Sequence, residues 1–409
     1  MSDFKYSKKK LFIGNTSVQN VAKRNKTPFY LYSERQIEKN YLDFAKIFKS
    51  VNPLICFAAK ANTNLTILRM LGKLGSGADV VSGGELLKAL KAGIPPNKIV
   101  FSGVGKTEEE LWLAIKSKIL LINIESESEA ILINTIGKKT NKVISVGFRL
   151  NPNIDAKTHK KISTGKAENK FGLSIKNFST FYKNIKYFEN LKINALSVHI
   201  GSQILSDTPY KKTLNVLIKV IMDLRIKLKY VDLGGGFGIS YNKKEKQINL
   251  NNYAKLVYSF KKKLNCNIIF EPGRSLVGNT GILVSKIQYI KKGLNQDFVI
   301  LDAGMNDFMR TALYDAIHDI VPIIKTNKKN QEPLEFVGPI CETSCKFAKY
   351  KKYQKIKEGD FVAITNVGAY GSSLSSNYNT KPFIAEILAG KKTFKIIRKK
   401  QDLLKLINS

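Results

Sequence analysis

Between residues 54 and 273 the chain alternates short β-rich runs with amphipathic helical segments, which restricts its fold more than any other feature. Alternation of this kind predicts a parallel sheet, because each helix carries the chain back to the start of the next strand. Strands are predicted at 54–60, 78–82, 99–102, 120–124, 143–150, 195–200, 230–233 and 268–271. Eight repeats in about 220 residues fit an α/β fold of the (β/α)8, or TIM, barrel type. A doubly wound sheet is the alternative.

Helical patterns lie between these strands, with apolar residues at three- and four-residue spacing. They are predicted at 65–74, 85–92, 108–118, 214–228 and 253–264. Thr107 and Ser126 precede two helix starts, where a hydroxyl can cap the first turn.

After residue 280 strand patterns replace the helical spacing, at 282–290, 298–301, 334–337, 361–365 and 384–388. A chain of 409 residues exceeds the size of one ordinary core, so a second domain is expected. We predict a barrel domain at 34–280 and a β-rich domain of sandwich or barrel type from 1–33 plus 281–409. The run PFYLY at 28–32 is predicted to give that second domain an N-terminal strand.

The chain carries 68 Lys and Arg residues against 32 Asp and Glu residues, a net charge of +36. Such an excess favours anionic partners, and a polyanion-binding protein is therefore one alternative reading. The lysines are spread in twos and threes and do not form one stripe with interleaved aromatic residues. A specific nucleic-acid site is therefore not predicted.

No apolar run approaches the length of about 18 residues that a membrane span needs, and the polar, basic N-terminus resembles no secretory signal. The four cysteines are too few for a disulfide framework in a chain of this size. These features predict a cytoplasmic protein without a membrane partner, and no metal site is predicted.

Lys60 ends the first predicted strand, directly after an apolar run. Charged residues are scarce at the end of a strand that is buried on both faces. Burial there lowers the pKa of a lysine and makes it an amine nucleophile, which forms Schiff bases with aldehydes such as pyridoxal phosphate. The alternative is a lysine whose stem is buried while its charge reaches water.

Three further strand ends carry residues that suit this cofactor. His199 offers a flat ring that can stack on a pyridine, although a buried core histidine is the alternative. The glycines at 234–236 let backbone N–H groups approach a phosphate, as they also do in dinucleotide folds. Glu271 can bind the pyridine nitrogen and hold it protonated, or it can form a structural pair with Arg274.

Five motifs follow one another in a characteristic order: FAAKAN at 57–62, HIGSQ at 199–203, GGG at 234–236, EPGR at 271–274 and CE at 341–342. In this order the chain resembles the fold-type III pyridoxal-phosphate-dependent decarboxylases, and within them the diaminopimelate decarboxylase family. The likeness runs from about residue 28 to about residue 389. It implies decarboxylation of meso-2,6-diaminopimelate to L-lysine and CO2 through a Schiff base with pyridoxal 5′-phosphate, the last step of lysine biosynthesis.

The resemblance also assigns roles to residues. Lys60 would form the Schiff base, His199 would stack on the ring, Glu271 would pair with its nitrogen, and Cys341 would donate the proton. Cofactor contacts are assigned to Lys60, Asp79, His199, Ser202, Gly235, Gly236, Glu271, Gly273, Arg274 and Tyr370. Substrate contacts are assigned to Arg274, Arg310, Tyr314, Glu342, Tyr370 and Tyr378. For Cys341 the alternative is an inert thiol.

In this family the Cys–Glu segment reaches into a neighbouring subunit, which implies a homodimer with active sites shared across the interface. Cys345 departs from the family pattern, which has an aspartate at that position. The arginines suit the distal carboxylate of diaminopimelate, and Glu342 suits its ammonium group.

Three enzymatic or binding alternatives share part of this pattern. An ornithine or arginine decarboxylase would not need two arginines for a distal carboxylate. A racemase of the same fold type needs a second acid–base group and usually has an arginine at the ring nitrogen, where this chain has Glu271. A non-catalytic carrier of pyridoxal phosphate would need only the barrel.

Overall fold

The computed structural model describes residues 3–156, 158–162, 164–241, 245, 248–391 and 393–408. The chain folds into two compact units. The barrel unit comprises Tyr41–Ile239 and Lys246–Ser275, and the β-rich unit comprises Met1–Asn40, Ser240–Glu245 and Leu276–Ser409. Each unit has its own hydrogen-bonded sheet.

Eight parallel strands of the barrel unit close into a ring in chain order. They are Leu54–Ala58, Gly77–Val80, Ile99–Phe101, Leu121–Ile124, Ile144–Asn151, Leu191–Ser197, Tyr230–Asp232 and Asn267–Phe270. The ring closes where Ile269 and Phe270 of the eighth strand pair with Leu54 and Ile55 of the first. This closure confirms the (β/α)8 barrel and excludes the doubly wound sheet.

In the part of the chain that the structure describes, seven α-helices connect the barrel strands: Leu65–Lys73, Gly83–Lys91, Glu108–Lys116, Glu127–Thr140, Ile175–Lys183, Thr208–Asp223 and Leu250–Leu264. The helix after the eighth strand, Arg274–Val277, is a single turn. Thr107 and Ser126 accept backbone N–H groups as N-caps, as the sequence predicted. Further elements are the long helix Glu34–Ile47, the short helices Val18–Arg24, Arg310–Tyr314 and Leu403–Ile407, and the short strand Leu173–Ser174.

Buried apolar side chains from five barrel strands form one cluster: Cys56, Val100, Leu121, Ala195 and Ile269. Residues two positions apart on a strand point to the same face. The residues two positions further along four of these strands are polar, namely Ser102, Asn123, Ser197 and Glu271. A polar layer therefore follows the apolar one toward the C-terminal ends of the strands, where barrel enzymes place their sites.

The β-rich unit contains a nine-stranded mixed sheet and a small antiparallel sheet. The large sheet comprises Phe29–Ser33, Gly281–Lys291, Asp297–Leu301, Ile320–Pro322, Leu334–Val337, Lys346–Tyr350, Phe361–Ile364, Ala385–Ala389 and Phe394–Arg398. The small sheet comprises Phe4–Ser7, Lys10–Ile13 and Thr16–Ser17. All five strands predicted after residue 280 are present.

The N-terminal strand Phe29–Ser33 lies inside the large sheet, antiparallel to Gly281–Lys291 and parallel to Ala385–Ala389. This confirms its predicted place in the β-rich fold. Phe29 and Leu31 pack in the core of this unit with apolar residues of both neighbouring strands. Within the described residues, the helices are too short or too polar to cross a lipid bilayer.

Candidate active site

Every barrel strand supplies a polar side chain at or just beyond its C-terminal end. In strand order these are Lys60, Asp79, Ser102, Asn123, Arg149, Ser197, Asp232 and Glu271. A cavity of about 430 Å³ opens at this end, and Lys60, His199 and Glu271 are among its lining residues. Its volume is within the usual range for small-molecule and cofactor sites.

Lys60 lies in the short 3-10 turn Ala59–Ala61 that follows the first strand. Its Nζ lies 2.7 Å from Oδ2 of Asp79, which is completely buried, while 36% of the Lys60 side chain is exposed. The carboxylate of this pair is thus fully desolvated, whereas the lysine side chain is partly exposed, and the role of Lys60 as the Schiff-base amine stays a prediction. Asp79 holds the amine at the wall of the cavity.

His199 is half-buried two residues after the end of the sixth strand, where its Nδ1 accepts the backbone N–H of Gly235 at 3.2 Å. Burial lowers the pKa of His199 well below its usual value, and the charges of Arg149 and Lys60 add to this. The ring is therefore neutral and carries its hydrogen on Nε2. A neutral flat ring fits the predicted stacking role. In the same region, the Thr164 hydroxyl donates to the His199 carbonyl at 2.7 Å.

The glycine run after the seventh strand is required by close packing. Gly234 and Gly236 have positive φ angles of 62° and 86°. A Cβ on Gly235 would lie 2.1 Å from the carbonyl oxygen of Glu271. Because the Gly235 N–H is donated to His199, this glycine orients the imidazole in the present structure. Its assignment to phosphate binding stays a prediction.

Glu271 is buried at the end of the eighth strand, and the Ser102 hydroxyl donates to its Oε1 at 3.4 Å. Burial raises the pKa of Glu271 well above its usual value, the charges of Asp232 and Asp79 raise it further, and Lys60 opposes them. Two predicted cofactor residues, Arg274 and Ser202, are in contact, with Arg274 Nη2 donating to the serine hydroxyl at 3.0 Å.

Sequence reasoning missed part of the polar layer. Asn123 donates through Nδ2 to the Ser102 hydroxyl at 3.2 Å and to Asp232 Oδ2 at 3.1 Å. Ser197 donates to the same Asp232 oxygen at 3.3 Å. Arg149 forms an ion pair with Glu125 at 2.9 Å. The sequence carried a signal for Asn123 and Ser197, each of which lies two positions after a buried apolar residue of a predicted strand.

Several predicted substrate residues belong to the β-rich unit. Arg310 is buried at the start of the helix Arg310–Tyr314, whose last residue is the predicted Tyr314. Its Nη1 lies 2.7 Å from the Tyr241 hydroxyl and 3.0 Å from Nε2 of His318. A guanidinium only donates, so Nε2 accepts and the His318 hydrogen is on Nδ1, which donates to the Thr365 carbonyl at 2.8 Å.

Cys341, Glu342 and Tyr378 are exposed in the single chain. The Tyr378 hydroxyl donates to Glu342 Oε1 at 2.7 Å, and this hydrogen bond with the glutamate charge raises the pKa of Tyr378. Cys345 is buried, and its Sγ accepts the Met305 N–H at 3.3 Å. The thiol that replaces the family aspartate is thus a packed acceptor of a backbone hydrogen bond. Tyr370, at the end of the motif GAY, has a positive φ of 55°.

The barrel residues fit pyridoxal phosphate. An amine, a neutral imidazole and a buried carboxyl group line one cavity of suitable size. Carboxylate and pyridine nitrogen form a complementary pair when the nitrogen is protonated, and an amine is the group that an aldehyde cofactor requires. The donor set therefore suits the aldehyde, the ring face and the ring nitrogen of the cofactor.

Comparison with known proteins gives the same assignment. The family described as pyridoxal-dependent decarboxylase, pyridoxal binding domain, matches residues 34–278. Diaminopimelate decarboxylase of Aquifex aeolicus is 40% identical over 97% of this chain and 94% of its own length. The Helicobacter pylori J99 enzyme of that name is 44% identical over 92% of this chain and 94% of its own length.

Solved structures agree with the sequence comparisons. The crystal structure of H. pylori diaminopimelate decarboxylase complexed with L-lysine has a TM-score of 0.90 and 43% identity, covering 95% of this chain and 98% of that one. A diaminopimelate decarboxylase structure from M. jannaschii has a TM-score of 0.93 and 37% identity, covering 100% and 97%. The chain therefore belongs to the diaminopimelate decarboxylases, within the family of pyridoxal-dependent decarboxylases.

Proposed function

We propose that this protein decarboxylates meso-2,6-diaminopimelate to L-lysine and CO2, the last step of lysine biosynthesis, with pyridoxal 5′-phosphate as its cofactor. The observation that carries the proposal is the cavity at the barrel end, where Lys60, His199 and Glu271 face one space. Identity to diaminopimelate decarboxylases over nearly the whole chain supports the choice of substrate.

Bound pyridoxal phosphate supplies an aldehyde and an electron-accepting ring, which stabilises the electron pair left on the α-carbon when the carboxylate leaves as CO2. Lys60 would hold the aldehyde through its amine, at the position that Asp79 fixes. His199 would lie against the flat face of the ring, and Glu271 would accept the N–H of the ring nitrogen. Ser202, Gly235, Gly236, Gly273, Arg274 and Tyr370 are the proposed phosphate and cofactor contacts.

Substrate selection rests on the distal amino-acid group of diaminopimelate, which carries a carboxylate and an ammonium. Arg310 and Arg274 suit the carboxylate because a guanidinium forms paired hydrogen bonds with it. Glu342 suits the ammonium, with Tyr378 holding the carboxylate side chain at 2.7 Å. Tyr314 and Tyr370 complete the proposed set. Ornithine lacks the distal carboxylate and would leave the buried Arg310 without its ligand.

A homodimer is part of the proposal. Cys341, the proposed proton donor, and its neighbour Glu342 are exposed in the single chain. Proton delivery to a carbanion requires a site that excludes bulk water, so these residues would act in the site of a second subunit. A cytoplasmic location and domain boundaries at 34 and 280 are proposed as well, and the family match over 34–278 supports the boundaries.

The test is incubation of the purified protein with pyridoxal phosphate and meso-diaminopimelate, followed by assay of CO2 and chiral analysis of lysine. We expect L-lysine and CO2 in equal amounts and no turnover of ornithine or arginine. Lys60→Ala should abolish both turnover and the visible absorbance of the bound cofactor. Racemised diaminopimelate without CO2, or activity retained in Lys60→Ala, would refute the proposal.

A further inference from the structure

Tyr210 is a buried tyrosine on the barrel helix Thr208–Asp223, and the proposed function gives it no role. Its hydroxyl donates to the carbonyl oxygen of Gly235 at 2.9 Å. Burial raises the pKa of Tyr210 well above its usual value, so the hydroxyl keeps its proton and remains a donor. A side chain from the helix after the sixth strand thus binds the glycine turn that follows the seventh strand.

Aromatic packing fixes the ring of Tyr210. It stacks on Phe237, with ring centres 5.4 Å apart and an angle of 21° between the ring planes, and the centre of the Tyr253 ring lies 4.7 Å away. A Cβ on Gly236 would lie 3.2 Å from the Tyr210 hydroxyl oxygen. Tyr210 therefore lies beside three consecutive residues of the turn, 235–237.

The hydrogen bond acts on the peptide group between Gly235 and Gly236. Because a trans peptide group is planar, the Gly235 carbonyl and the Gly236 N–H point in opposite directions. The contact of Tyr210 with the carbonyl therefore also sets the direction of this N–H. Glycine adopts positive and negative φ angles with similar ease, so the backbone of a glycine pair allows both orientations of the peptide group between them. The tyrosine hydroxyl selects one of the two.

The Gly236 N–H is available to an anion. Among the described residues it has no hydrogen-bond acceptor, whereas the Gly235 N–H is donated to His199. Gly236 is partly exposed, and a Cβ on it would lie 2.2 Å from the carbonyl oxygen of Gly201. The residue after Gly201 is Ser202, one of the predicted cofactor contacts. A backbone N–H of this kind, in a glycine-rich turn, is a donor that suits a phosphate group.

We propose that Tyr210 is a positioning residue for the phosphate end of the cofactor: its hydroxyl holds the Gly235–Gly236 peptide group in the orientation that leaves the Gly236 N–H for the phosphate of pyridoxal phosphate. The proposed function assigns this turn to the phosphate, and the role of Tyr210 rests on that assignment. A donor that is oriented before the ligand arrives loses less entropy when the ligand binds. Tyr210 therefore strengthens binding of the phosphate group and does not act on the aldehyde or the ring.

The affinities of the apoprotein for pyridoxal phosphate and for pyridoxal, measured by absorbance titration, test this role. Pyridoxal has the same aldehyde and ring but lacks the phosphate, so the ratio of the two dissociation constants reports the phosphate contact. Tyr210→Phe keeps the aromatic ring and removes the hydroxyl. It should weaken binding of pyridoxal phosphate about fivefold, the factor that corresponds to the loss of one hydrogen bond, while pyridoxal binding stays within about twofold of wild type.

Tyr41→Phe is the matched control. Tyr41 is also a buried tyrosine of the barrel unit, but a Cβ on Gly75 would lie 3.8 Å from its hydroxyl oxygen. Gly75 comes just before the second strand, Gly77–Val80, and therefore lies at the end of the barrel opposite the cavity. The same substitution at this position should leave both dissociation constants at their wild-type values.

The phosphorus NMR resonance of the bound cofactor gives a second readout, at saturating cofactor. It should shift in Tyr210→Phe and stay in place in Tyr41→Phe, because only the first variant changes the surroundings of the phosphate. A resonance of Tyr210→Phe at the wild-type position would contradict the role of Tyr210.

Equal weakening of both aldehydes in Tyr210→Phe, or retention of the wild-type ratio, would overturn the role of Tyr210 and leave the proposed function intact. A wild-type protein that binds pyridoxal as tightly as pyridoxal phosphate would instead refute the phosphate assignment of the proposed function, and the role of Tyr210 with it. None of these measurements uses diaminopimelate, so a wrong substrate assignment would leave the outcomes unchanged.

Discussion

At the scale of single residues, Arg310 shows how a charged side chain is prepared for a ligand. Its guanidinium is buried and lies 4.8 Å from the centre of the Tyr241 ring, to whose hydroxyl it also donates. The imidazole of His318 is held edge-on between Phe308 and Tyr241 and accepts from the same guanidinium. The Arg310 side chain is thus already ordered before substrate binds, so binding does not have to carry the entropy cost of ordering it.

Arg310→Ala should raise KM for diaminopimelate and lower kcat/KM by roughly 30-fold or more, because loss of one partner of a buried charged contact costs about 2–5 kcal/mol. Steady-state kinetics and cofactor titration measure the two effects separately. His318→Phe keeps an aromatic ring but removes the Nε2 acceptor of Arg310 and the Nδ1–H donor to the Thr365 carbonyl, and it should raise KM less than Arg310→Ala because the guanidinium itself remains. If Arg310→Ala loses cofactor binding as strongly as substrate binding, misfolding and not recognition explains the result.

At the scale of elements, the helix Glu108–Lys116 shows how hydrogen bonds join consecutive helices that connect the barrel strands. The Thr107 hydroxyl accepts the Glu110 N–H at 3.2 Å, and the Glu110 carboxylate accepts the Thr107 N–H at 3.0 Å. The other oxygen of Glu110 accepts the N–H of Gly83, the first residue of the preceding helix, at 2.7 Å. One capping box therefore joins the starts of two consecutive helices.

Thr107→Ala should lower the free energy of unfolding by about 1 kcal/mol, since it removes an N-cap acceptor. Urea unfolding of the cofactor-loaded protein measures the change. Thr107→Ser keeps the hydroxyl and is the matched control, with a loss well below that of alanine. Equal losses for serine and alanine would show that the methyl group, and not the cap, stabilises this helix.

At the scale of the whole molecule, the proposed function places Cys341 and Glu342, both exposed in the single chain, in the site of a second subunit. Each subunit of a symmetric dimer would then supply the same segment to its partner. The Lys60→Ala and Cys341→Ala chains carry complementary defects under this arrangement, because a mixed dimer contains one site with both native residues.

Mixing the two inactive variants under conditions of subunit exchange should restore about a quarter of the wild-type activity, because about half of the dimers are mixed and each of these has one intact site of two. Lysine formation after exchange is the measurement. As a control, Lys60→Ala mixed with the Lys60→Ala, Cys341→Ala double variant should stay inactive. Absence of restoration despite proven exchange would argue against the shared site.

The sequence by itself determined the barrel, the β-rich fold and the positions of Lys60, His199 and Glu271, because strand and helix periodicity are local and barrel sites lie at C-terminal strand ends. Only the tertiary structure decided what these residues contact. The hydrogen bond of Asn123 to Asp232 spans 109 residues, and that of Arg310 to Tyr241 spans 69. Such partners meet only after the sheet closes and its register is set. The same closure buries the Asp79 carboxylate 2.7 Å from the Lys60 amine, a contact that the sequence did not predict.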